Sequence, residues 1–554
     1  MSSVVYSLRK KPRPSSRSAL GGLGRLGGLS AFAALTFLGL LGGCDGCSSR
    51  ARTESSRPPE TFISRETDVV VQLRDIGALV ADPSNWPVLP DAVVSLEQLE
   101  VLRAQIKRDF GFDPTTRAGL AKAGIRDSGP IWIGLKKQSN PTEGSILCIV
   151  PVNDHARFEA IVRHILGRQG MRPEIRDSSS RAGVRVTVDA QQSAESTAAA
   201  WSFRDGYALL SLGSYPEASL AEALSLSADR SLAGDPEFLK LSQGLGSEDN
   251  LEFRIFIPPL GTAAIEELRA VLTEEANAAG VNVRDLDLPS VAGAGLRLNL
   301  KTSSIGAVLR LFVGSAYRGQ LKDLLRPVPP ADHVAQILGT DGAFLRVEWA
   351  IPTEAIHTAL ADKETRAQLE KALSPDLLAS LSGRGGLVVT LRDLTHLAPD
   401  VLQRDPTQAV AFLLAASTKS SKDDSGKNVE ALGQLIDDLN RTYALSGGAL
   451  TYELKDETIA VGNDRELLKA SWNKPKGDGL LGDQTGLVAE LSFAPLVAGL
   501  KAYPLSSVPL LMRAVVLKAT QVLQAFEQAR LVVQAEDDGF STRFTVKLKE
   551  VSSK

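Results

Sequence analysis

Two short stretches, Trp201-Ser-Phe-Arg-Asp205 and Tyr452-Glu-Leu-Lys-Asp456, decide how the fold of this chain is interpreted. Both alternate apolar and polar residues and end in an aspartate, and an apolar strand and then a glycine follow each of them. Alternation with a period of two is typical of a half-buried β-strand, and Asp205-Gly206 favours the tight turn of a β-hairpin. The two stretches therefore predict two copies of one hairpin.

The segments around the two hairpins recur in the same order. Before the hairpins, Asp68–Arg74, Ala92–Phe110, Pro130–Lys136, Ser145–Val152 and Asp154–Leu166 correspond to Phe344–Trp349, Arg366–Leu373, Gly386–Arg392, Ala409–Ala416 and Val429–Leu439. After them, Phe256-Ile-Pro-Pro-Leu260 corresponds to Ser492-Phe-Ala-Pro-Leu496, and a closing hairpin ends each half. This order predicts an α+β fold of two duplicated units, each a mostly antiparallel sheet with packed helices. The alternative is that such strand and helix patterns recur in any α+β chain.

The breaks in the pattern predict the domain boundaries. A proline-rich break, Arg326-Pro-Val-Pro-Pro330, predicts a first unit over 66–325, a linker over 326–335 and a second unit over 336–554. Residues 44–65 are rich in Ser, Arg and Pro and have no apolar period, so they are expected to form a flexible stalk. Residues 1–43 have the composition of an export signal.

The export signal ends in Leu41-Gly42-Gly43-Cys44. Basic residues precede an uncharged apolar run from Leu26 to Gly43, and no acidic residue occurs before Asp45. This stretch resembles the lipobox of bacterial lipoproteins. The resemblance implies cleavage between Gly43 and Cys44, lipidation of the Cys44 thiol, and a body anchored in the cell envelope on the periplasmic side. Asp45 resembles a residue that retains some lipoproteins in the inner membrane, but inner and outer membranes both stay open. The alternative is an uncleaved transmembrane helix.

Composition limits the possible partners of the body. The formal net charge is −3 and the sequence pI is about 6.1, so neither suggests nucleic-acid binding. Of the three cysteines, Cys44 is the proposed anchor, Cys47 could be free or pair between chains, and Cys148 lies in an apolar strand as an expected small core residue. A disulfide framework is not expected.

The sequence contains no familiar catalytic or metal-binding motif. His155 and His164 are nine residues apart on one predicted helix and face opposite sides, and His333, His357 and His396 stand alone. Ser471-Trp-Asn-Lys474 has the Ser-x-x-Lys spacing of some acyl-transfer enzymes, but Pro475 disfavours the shared helical turn that this site needs. We therefore assign no catalytic, metal or cofactor-binding residue and expect no cofactor.

Two further segments bear on function. Val508–Ala525 predicts a strongly apolar helix interrupted by Arg513 and Lys518, so we expect it to be buried between layers, with a partner or ligand groove as the alternative. The strand–helix pattern, with Leu232-Ala-Gly-Asp-Pro-Glu-Phe238, resembles uncharacterised bacterial exported proteins of tandem α+β units.

These observations predict a membrane-anchored envelope lipoprotein with a non-enzymatic binding or structural role. Its expected partners are the membrane, through Cys44, and an envelope protein or apolar ligand. The first alternative is a carrier of lipid or another apolar ligand. The second alternative is an envelope hydrolase whose site is assembled from distant Asp, Glu and Ser residues.

Overall fold

The structure is a computed structural model of 554 residues. It describes residues 57–79, 96–137, 144–168, 173–189, 197–247, 251–278, 291–301, 303–314, 318–329, 331–353, 381–396, 406–418, 433–434, 436–437, 440–441, 450–475, 479–482, 484–503 and 510–549. Within this part the chain forms two compact units. The first contains residues 57–70 and 100–234, and the second contains residues 71–79, 96–99 and 235–549.

The described strands and helices alternate along the chain. The strands are β1 (Val69–Leu73), β2 (Ile131–Lys137), β3 (Gly144–Pro151), β4 (Pro173–Asp177), β5 (Arg185–Asp189), β6 (Thr197–Arg204), β7 (Tyr207–Gly213), β8 (Leu251–Ile257), β9 (Val291–Lys301), β10 (Ser304–Val313), β11 (Ala343–Ala350), β12 (Leu381–Leu391), β13 (Val410–Thr418), β14 (Thr451–Lys455), β15 (Thr458–Gly462), β16 (Gly486–Ser492), β17 (Phe526–Glu536) and β18 (Gly539–Leu548). The α-helices are α1 (Leu96–Phe110), α2 (Arg117–Lys122), α3 (His155–Arg168), α4 (Pro216–Ser225), α5 (Pro236–Gly244), α6 (Thr262–Ala278), α7 (Arg318–Leu324), α8 (Asp332–Leu338), α9 (Arg465–Ser471), α10 (Phe493–Ala502) and α11 (Leu510–Gln524).

The first unit contains an antiparallel sheet with strand order β2-β3-β7-β6-β5-β4. Helix α4 follows β7 directly and packs against β3, β6 and β7, because Pro216, Leu220 and Ala223 form its buried side. Trp132 and Trp201 are fully buried in this unit. Helix α3 begins where the sequence predicts, since the Asp154 carboxylate accepts a hydrogen bond from the Arg157 N–H at 3.1 Å.

The second unit contains an antiparallel sheet with strand order β8-β9-β10-β18-β17-β16-β11-β12-β13-β15-β14. Helices α8 and α9 cover β12, β13 and β15 on one side. Val334, Ile337 and Leu468 of these helices are fully buried against Val388 and Leu413 of the sheet. At about 2 kcal/mol for each large apolar side chain taken out of water, this cluster is a main source of stability in the unit.

Strand connectivity repeats along the chain, as predicted. The order β2-β3-β7-β6 recurs as β12-β13-β15-β14, and the chain order β8-β9-β10 recurs as β16-β17-β18. Helix α4 follows β7 as α9 follows β15, and α6 follows β8 as α10 follows β16. The α+β class and the two mostly antiparallel copies are therefore confirmed. The predicted boundaries at 66–325, 326–335 and 336–554 follow the sequence repeat rather than the compact units, and they stay predictions.

The two hairpins that suggested the duplication share an uncommon backbone feature. Asp205 and Asp456 are the only non-glycine residues of the described chain with a positive φ, at 50° and 51°. Aspartate tolerates this left-handed conformation better than most residues, and tight hairpin turns require it. The turn chemistry in the sequence therefore specifies the same local geometry at both sites.

Some elements differ from the sequence-based expectations. Helix α5, which was not predicted, begins at Pro236, and Asp235 caps it by accepting hydrogen bonds from the N–H groups of Glu237 and Phe238. Helix α8 begins at Asp332, so the predicted linker 326–335 overlaps its first turn. The expectation that the Val508–Ala525 helix is buried is wrong in part, because Val515 and Leu517 of α11 are 54% and 53% exposed. The helices predicted near Arg366–Leu373 and Val429–Leu439 lie wholly or mostly outside the described residues.

A buried ion pair connects the sheet of the second unit to a loop. The Nε and Nη2 atoms of Arg384 donate to Oε1 of Glu348 at 2.9 and 2.6 Å, and both side chains are at most 2% exposed. The other oxygen of Glu348 accepts hydrogen bonds from the N–H groups of Leu480 and Leu481, and Arg384 Nη2 also donates to the Gly482 carbonyl at 2.7 Å. The pair therefore holds the loop 479–482 against β11 and β12.

We expect Glu348→Gln to lower the free energy of unfolding by about 3 kcal/mol, because it leaves the buried Arg384 charge without its counter-ion. Urea unfolding of the wild-type and variant proteins measures this difference. The matched control is Glu466→Gln, which removes the exposed Glu466–Lys469 pair of α9 (3.4 Å) and is expected to change stability by less than about 1 kcal/mol. Equal effects of the two substitutions would contradict the importance of the buried pair.

Candidate functional site

The strand register of the second unit places one residue from each of eleven strands in a single row. Directly opposed residues of antiparallel strands point to the same face of a sheet, so the row can be followed from pair to pair. Its members, from β8 to β14, are Phe253, Leu298, Ala307, Phe544, Leu531, Ala489, Val347, Leu387, Leu414, Val461 and Tyr452. Every member is apolar or aromatic.

The rows on either side continue this pattern. One row contains Leu251, Leu300, Ile305, Val546, Ala529, Leu491, Leu345, Val389 and Phe412, and the other contains Ile255, Leu296, Leu309, Thr542, Val533, Leu487, Trp349, Gly385, Ala416, Ile459 and Leu454. No charged residue occurs in any of the three rows. We call the three rows together the apolar face.

Most residues of the apolar face keep contact with solvent. Leu309, Leu414 and Phe544 are 37%, 41% and 42% exposed, and most of the others are half-buried. Within the described chain, two segments cover part of this face. Helix α10 packs against β11, β12 and β17, with Gly499 close to Leu391, and Ile436 packs at the β14–β15 end against Tyr452, Leu454, Ile459 and Val461. A wide and partly exposed apolar surface is uncommon on a soluble domain and marks a site of interaction with an apolar partner.

The opposite face of the same sheet is covered and contains both apolar and charged side chains, because Val388 and Leu413 of the cluster under α8 and α9 lie there. It contains the Glu348–Arg384 pair, and it contains Arg254, whose Nη2 donates to the Gly246 carbonyl at 2.7 Å and whose Nε donates to Glu252. Helices and loops therefore cover the side with the buried charges.

The first unit has a similar half-buried apolar surface on its own sheet. Ile133, Cys148 and Leu210 form one row across β2, β3 and β7, and Ile146 and Leu212 lie in the next row. Burial raises the pKa of the Cys148 thiol to about 12, so the thiolate is almost absent at neutral pH. Cys148 therefore acts as a small apolar residue, but it lies in a half-buried row of the sheet rather than in the core that the sequence predicts.

The residues predicted for lipidation and cleavage, Cys44 and Gly43, lie outside the described residues, and so do Cys47 and His357. His155 stacks on Phe203 with ring centroids 3.8 Å apart, whereas Nε2 of His164 lies 3.3 Å from the Arg108 carbonyl oxygen. The two histidines therefore have separate surroundings. No group of three or more His, Cys, Asp or Glu side chains suited to a metal ion occurs among the described residues.

His333 is the most strongly bound histidine of the described chain. Its Nδ1 lies 2.5 Å from Oε1 of Gln336, and its Nε2 lies 2.6 Å from Oδ2 of Asp456. The Gln336 amide nitrogen donates to the Lys474 carbonyl at 2.7 Å, which orients its oxygen towards His333. Both ring nitrogens are thus occupied, so neither is free to activate a nucleophile. His333 connects α8 to the β14–β15 turn and serves the fold.

The Ser-x-x-Lys sequence does not form a catalytic pair. Helix α9 ends at Ser471, whose buried hydroxyl donates to the Leu468 carbonyl at 2.7 Å. Lys474 lies beyond the helix and forms an ion pair with Asp341. The lysine therefore has a carboxylate partner instead of the serine hydroxyl, in agreement with the effect expected of Pro475.

Glu60 is the described carboxyl group whose surroundings favour the neutral form. Burial raises the pKa of Glu60, and its Oε2 atom is buried without a hydrogen-bond partner. Its charge influences Tyr207, whose pKa burial raises and over whose ring Arg126 lies at 5.6 Å.

Comparison with known proteins found a distant structural match and no relative in sequence. The chain matches no protein-family model, and no curated protein matches it. It is similar to the solved structures of TP0453. Crystal form I has a TM-score of 0.26 and 11% identity and covers 49% of this chain and 88% of that chain. Crystal form III has a TM-score of 0.24 and 10% identity and covers 50% and 91%.

Crystal form IV of TP0453 has a TM-score of 0.24 and 9% identity and covers 49% of this chain and 86% of that chain. Among the described residues, no helix has both the length and the hydropathy needed to cross a bilayer.

We expect Glu60→Gln to stabilise the protein at pH 7. Because burial raises the pKa of Glu60 in the folded state, the folded chain binds its proton more tightly than the unfolded chain, and stability falls as the pH rises through the range above the ordinary glutamate pKa. Glutamine mimics the protonated form, so the difference should vanish near pH 3, where both states are protonated. Thermal unfolding of the wild type and the variant at pH 7 and pH 3 measures this difference in stability. A destabilised variant at pH 7 would show instead that Glu60 gains more from its charge than burial costs.

Proposed function

We propose that this protein is a lipid-anchored module of the bacterial cell envelope that binds an apolar ligand and does not catalyse a reaction. The apolar face carries this proposal. Three uncharged rows across eleven strands, with Leu309, Leu414 and Phe544 exposed by about two fifths, offer almost no hydrogen-bonding group to a ligand. The matching ligand chemistry is a hydrocarbon chain, and a lipid acyl chain is the source that an envelope provides.

The surroundings of the polar side chains support binding rather than chemistry. Both nitrogens of His333 are occupied, Lys474 pairs with Asp341, and the raised pKa of Cys148 keeps its thiol protonated. These are the described groups nearest to catalytic chemistry, and each has a structural role. The hydrolase alternative would need a site that these residues do not form.

The location rests on the sequence. The lipobox-like Leu41–Cys44 and the Ser/Arg/Pro stalk support an anchor in the envelope, with the body outside the cytoplasm. A flexible stalk of about twenty residues has a root-mean-square length of about 25 Å, which keeps the body close to the membrane surface.

We expect Phe544→Gln to weaken the binding of a fluorescent fatty acid by about thirtyfold. Phe544 is 42% exposed, so about 80 Å² of a ring of about 200 Å² remains for a ligand to cover, and this is worth about 2 kcal/mol at 25 cal/mol per Å². Fluorescence titration of the purified chain measures Kd, and native mass spectrometry shows whether a lipid co-purifies.

The matched control for Phe544→Gln is Leu239→Gln on α5. Leu239 is 41% exposed but lies outside the apolar face, so its substitution should leave the Kd of the fatty acid unchanged. Equal Kd values for the two variants and the wild type, or a clean bare mass with no fatty-acid binding, would exclude the acyl chain as the ligand.

The anchor has its own test. We expect Cys44→Ser to accumulate as a larger, unlipidated precursor, because lipidation of the thiol precedes cleavage in proteins with this type of signal. Electrophoretic mobility and metabolic labelling with a fatty acid measure both changes. Cys47→Ser is the matched control, three residues further along, and should mature normally. A Cys44→Ser chain of unchanged mature size would rule out the lipoprotein assignment.

A further inference from the structure

A strip of exposed cations lies on the sheet of the second unit, on the side opposite the apolar face. Arg543 and Lys547 of β18 and Arg530 of β17 are exposed there. Thr545 is paired directly with Arg530, while Arg543 and Lys547 stand two residues to either side of Thr545 on the same face. Neighbouring cations along β18 are thus about 14 Å apart, with Arg530 between them on the next strand. We call these three residues the basic strip.

Cations outnumber carboxylates around the strip. On this face β9, β10, β16, β17 and β18 contribute six cations and two carboxylates; the cations are Arg297, Lys301, Arg310, Arg530, Arg543 and Lys547, and the carboxylates are Glu490 and Glu536. Glu490 is paired directly with Arg530 in the ladder, and its Oε1 is 3.6 Å from Nη1 of Arg346.

Glu536 belongs to another group, because its Oε2 is 2.8 Å from Nη2 of Arg310, which also contacts Asp538 at 2.9 Å. Arg543 and Lys547 form no ion pair with any described residue, and Arg530 donates only to the Leu480 carbonyl, at 3.1 Å. The strip ends at the bulge where β17 begins, because the residue there, Glu527, is a carboxylate.

The shape of the strip indicates the kind of anion that it fits. A single bound phosphate needs a walled site with convergent donors, whereas these side chains project from a sheet face and are all exposed. A row of separated cations instead matches a surface that presents many negative groups. Each Lys or Arg held near an anionic bilayer strengthens the binding about fivefold, and the attraction falls off within a Debye length of about 8 Å.

We propose that the basic strip docks the second unit on the anionic phospholipid headgroups of the membrane that holds the anchor. This inference rests on the proposed location, since the stalk from Cys44 keeps the body within reach of that surface. Docking through the strip leaves the apolar face free, because the two lie on opposite sides of one sheet. The protein then has two membrane attachments, one covalent and one electrostatic.

The test is acetylation footprinting of Lys547 by mass spectrometry. The full chain, as cells produce it, is reconstituted in vesicles of phosphatidylcholine alone or of phosphatidylcholine with phosphatidylglycerol. We expect Lys547 to be protected severalfold only when phosphatidylglycerol is present, and the protection to disappear in about 1 M NaCl, where the Debye length is about 3 Å. Lys469, exposed on α9, is the internal reference. Equal reactivity of Lys547 on both vesicles, or its protection by inorganic phosphate without vesicles, overturns the proposal.

Substitutions in the basic strip test whether these residues cause the protection of Lys547 from acetylation. Arg530→Gln with Arg543→Gln should lower the ratio of docked to undocked chain, measured by the acetylation of Lys547 at a fixed phosphatidylglycerol content, by about twenty-fivefold, at about fivefold for each cation removed. Arg465→Gln with Lys501→Gln removes the same charge from α9 and α10, keeps the Lys469 reference, and should leave this ratio unchanged. An equal shift in both double variants overturns the strip as the docking site.

The fatty-acid titration, made on the same preparations, separates the two proposals. If acyl binding is lost while Lys547 stays protected, the result contradicts only the proposal that the apolar face binds a ligand.

Discussion

The ladder between β10 and β18 is the interaction on which the rest of the second unit depends. It pairs the last strand of the first copy with the last strand of the second over nine residues, from Ser304 with Lys547 to Phe312 with Gly539. A shift of one residue would send every side chain of one copy to the other face. The ladder therefore makes eleven strands share one apolar face and the opposite face share its charges. Arg310 of β10, bound to Glu536 and Asp538 at the β17–β18 turn, reinforces this register.

The buried charges on the covered face follow from the same alternation. The residues that intervene between those of the apolar face enter the covered side, where Glu348, Arg384, Glu252 and Arg254 lie on the same side as apolar residues such as Val388 and Leu413. A buried charge is tolerated only when it is paired and hydrogen-bonded, so each of these side chains has partners. Hydrogen bonds to loop backbone groups offset the desolvation of these charges. Glu348 and Arg384 bind the loop 479–482, and Arg254 binds the Gly246 carbonyl. The apolar side, where no such pairing is possible, stays half-exposed and available to a ligand.

Local features of the sequence were sufficient for most strands. Alternating residues, the aspartates of the hairpin turns and the cap at Asp154 act within a few residues, so their effects are visible in sequence. Helices α5 and α8 were missed for a physical reason. Both are short, and the buried side of α8 gains its stability from contacts with Val388 and Leu413, far along the chain. The exposed Val515 and Leu517 of α11 were missed as well, because apolar composition does not distinguish a covered helix from a partly uncovered one.

The sequence by itself determined the α+β class, the duplicated order of strands and helices, and the expectation of a lipid anchor at Cys44. Only the tertiary structure decided that Phe544, Ala307 and Leu531 share a row, and that Arg530, Arg543 and Lys547 share the opposite side. Alternation shows which residues of one strand lie on the same face. It does not show which strand is the neighbour, and pairs such as Ser304 with Lys547 join residues that are far apart in the chain. The register of those long-range ladders comes from the packing of the whole sheet, and both candidate surfaces depend on it.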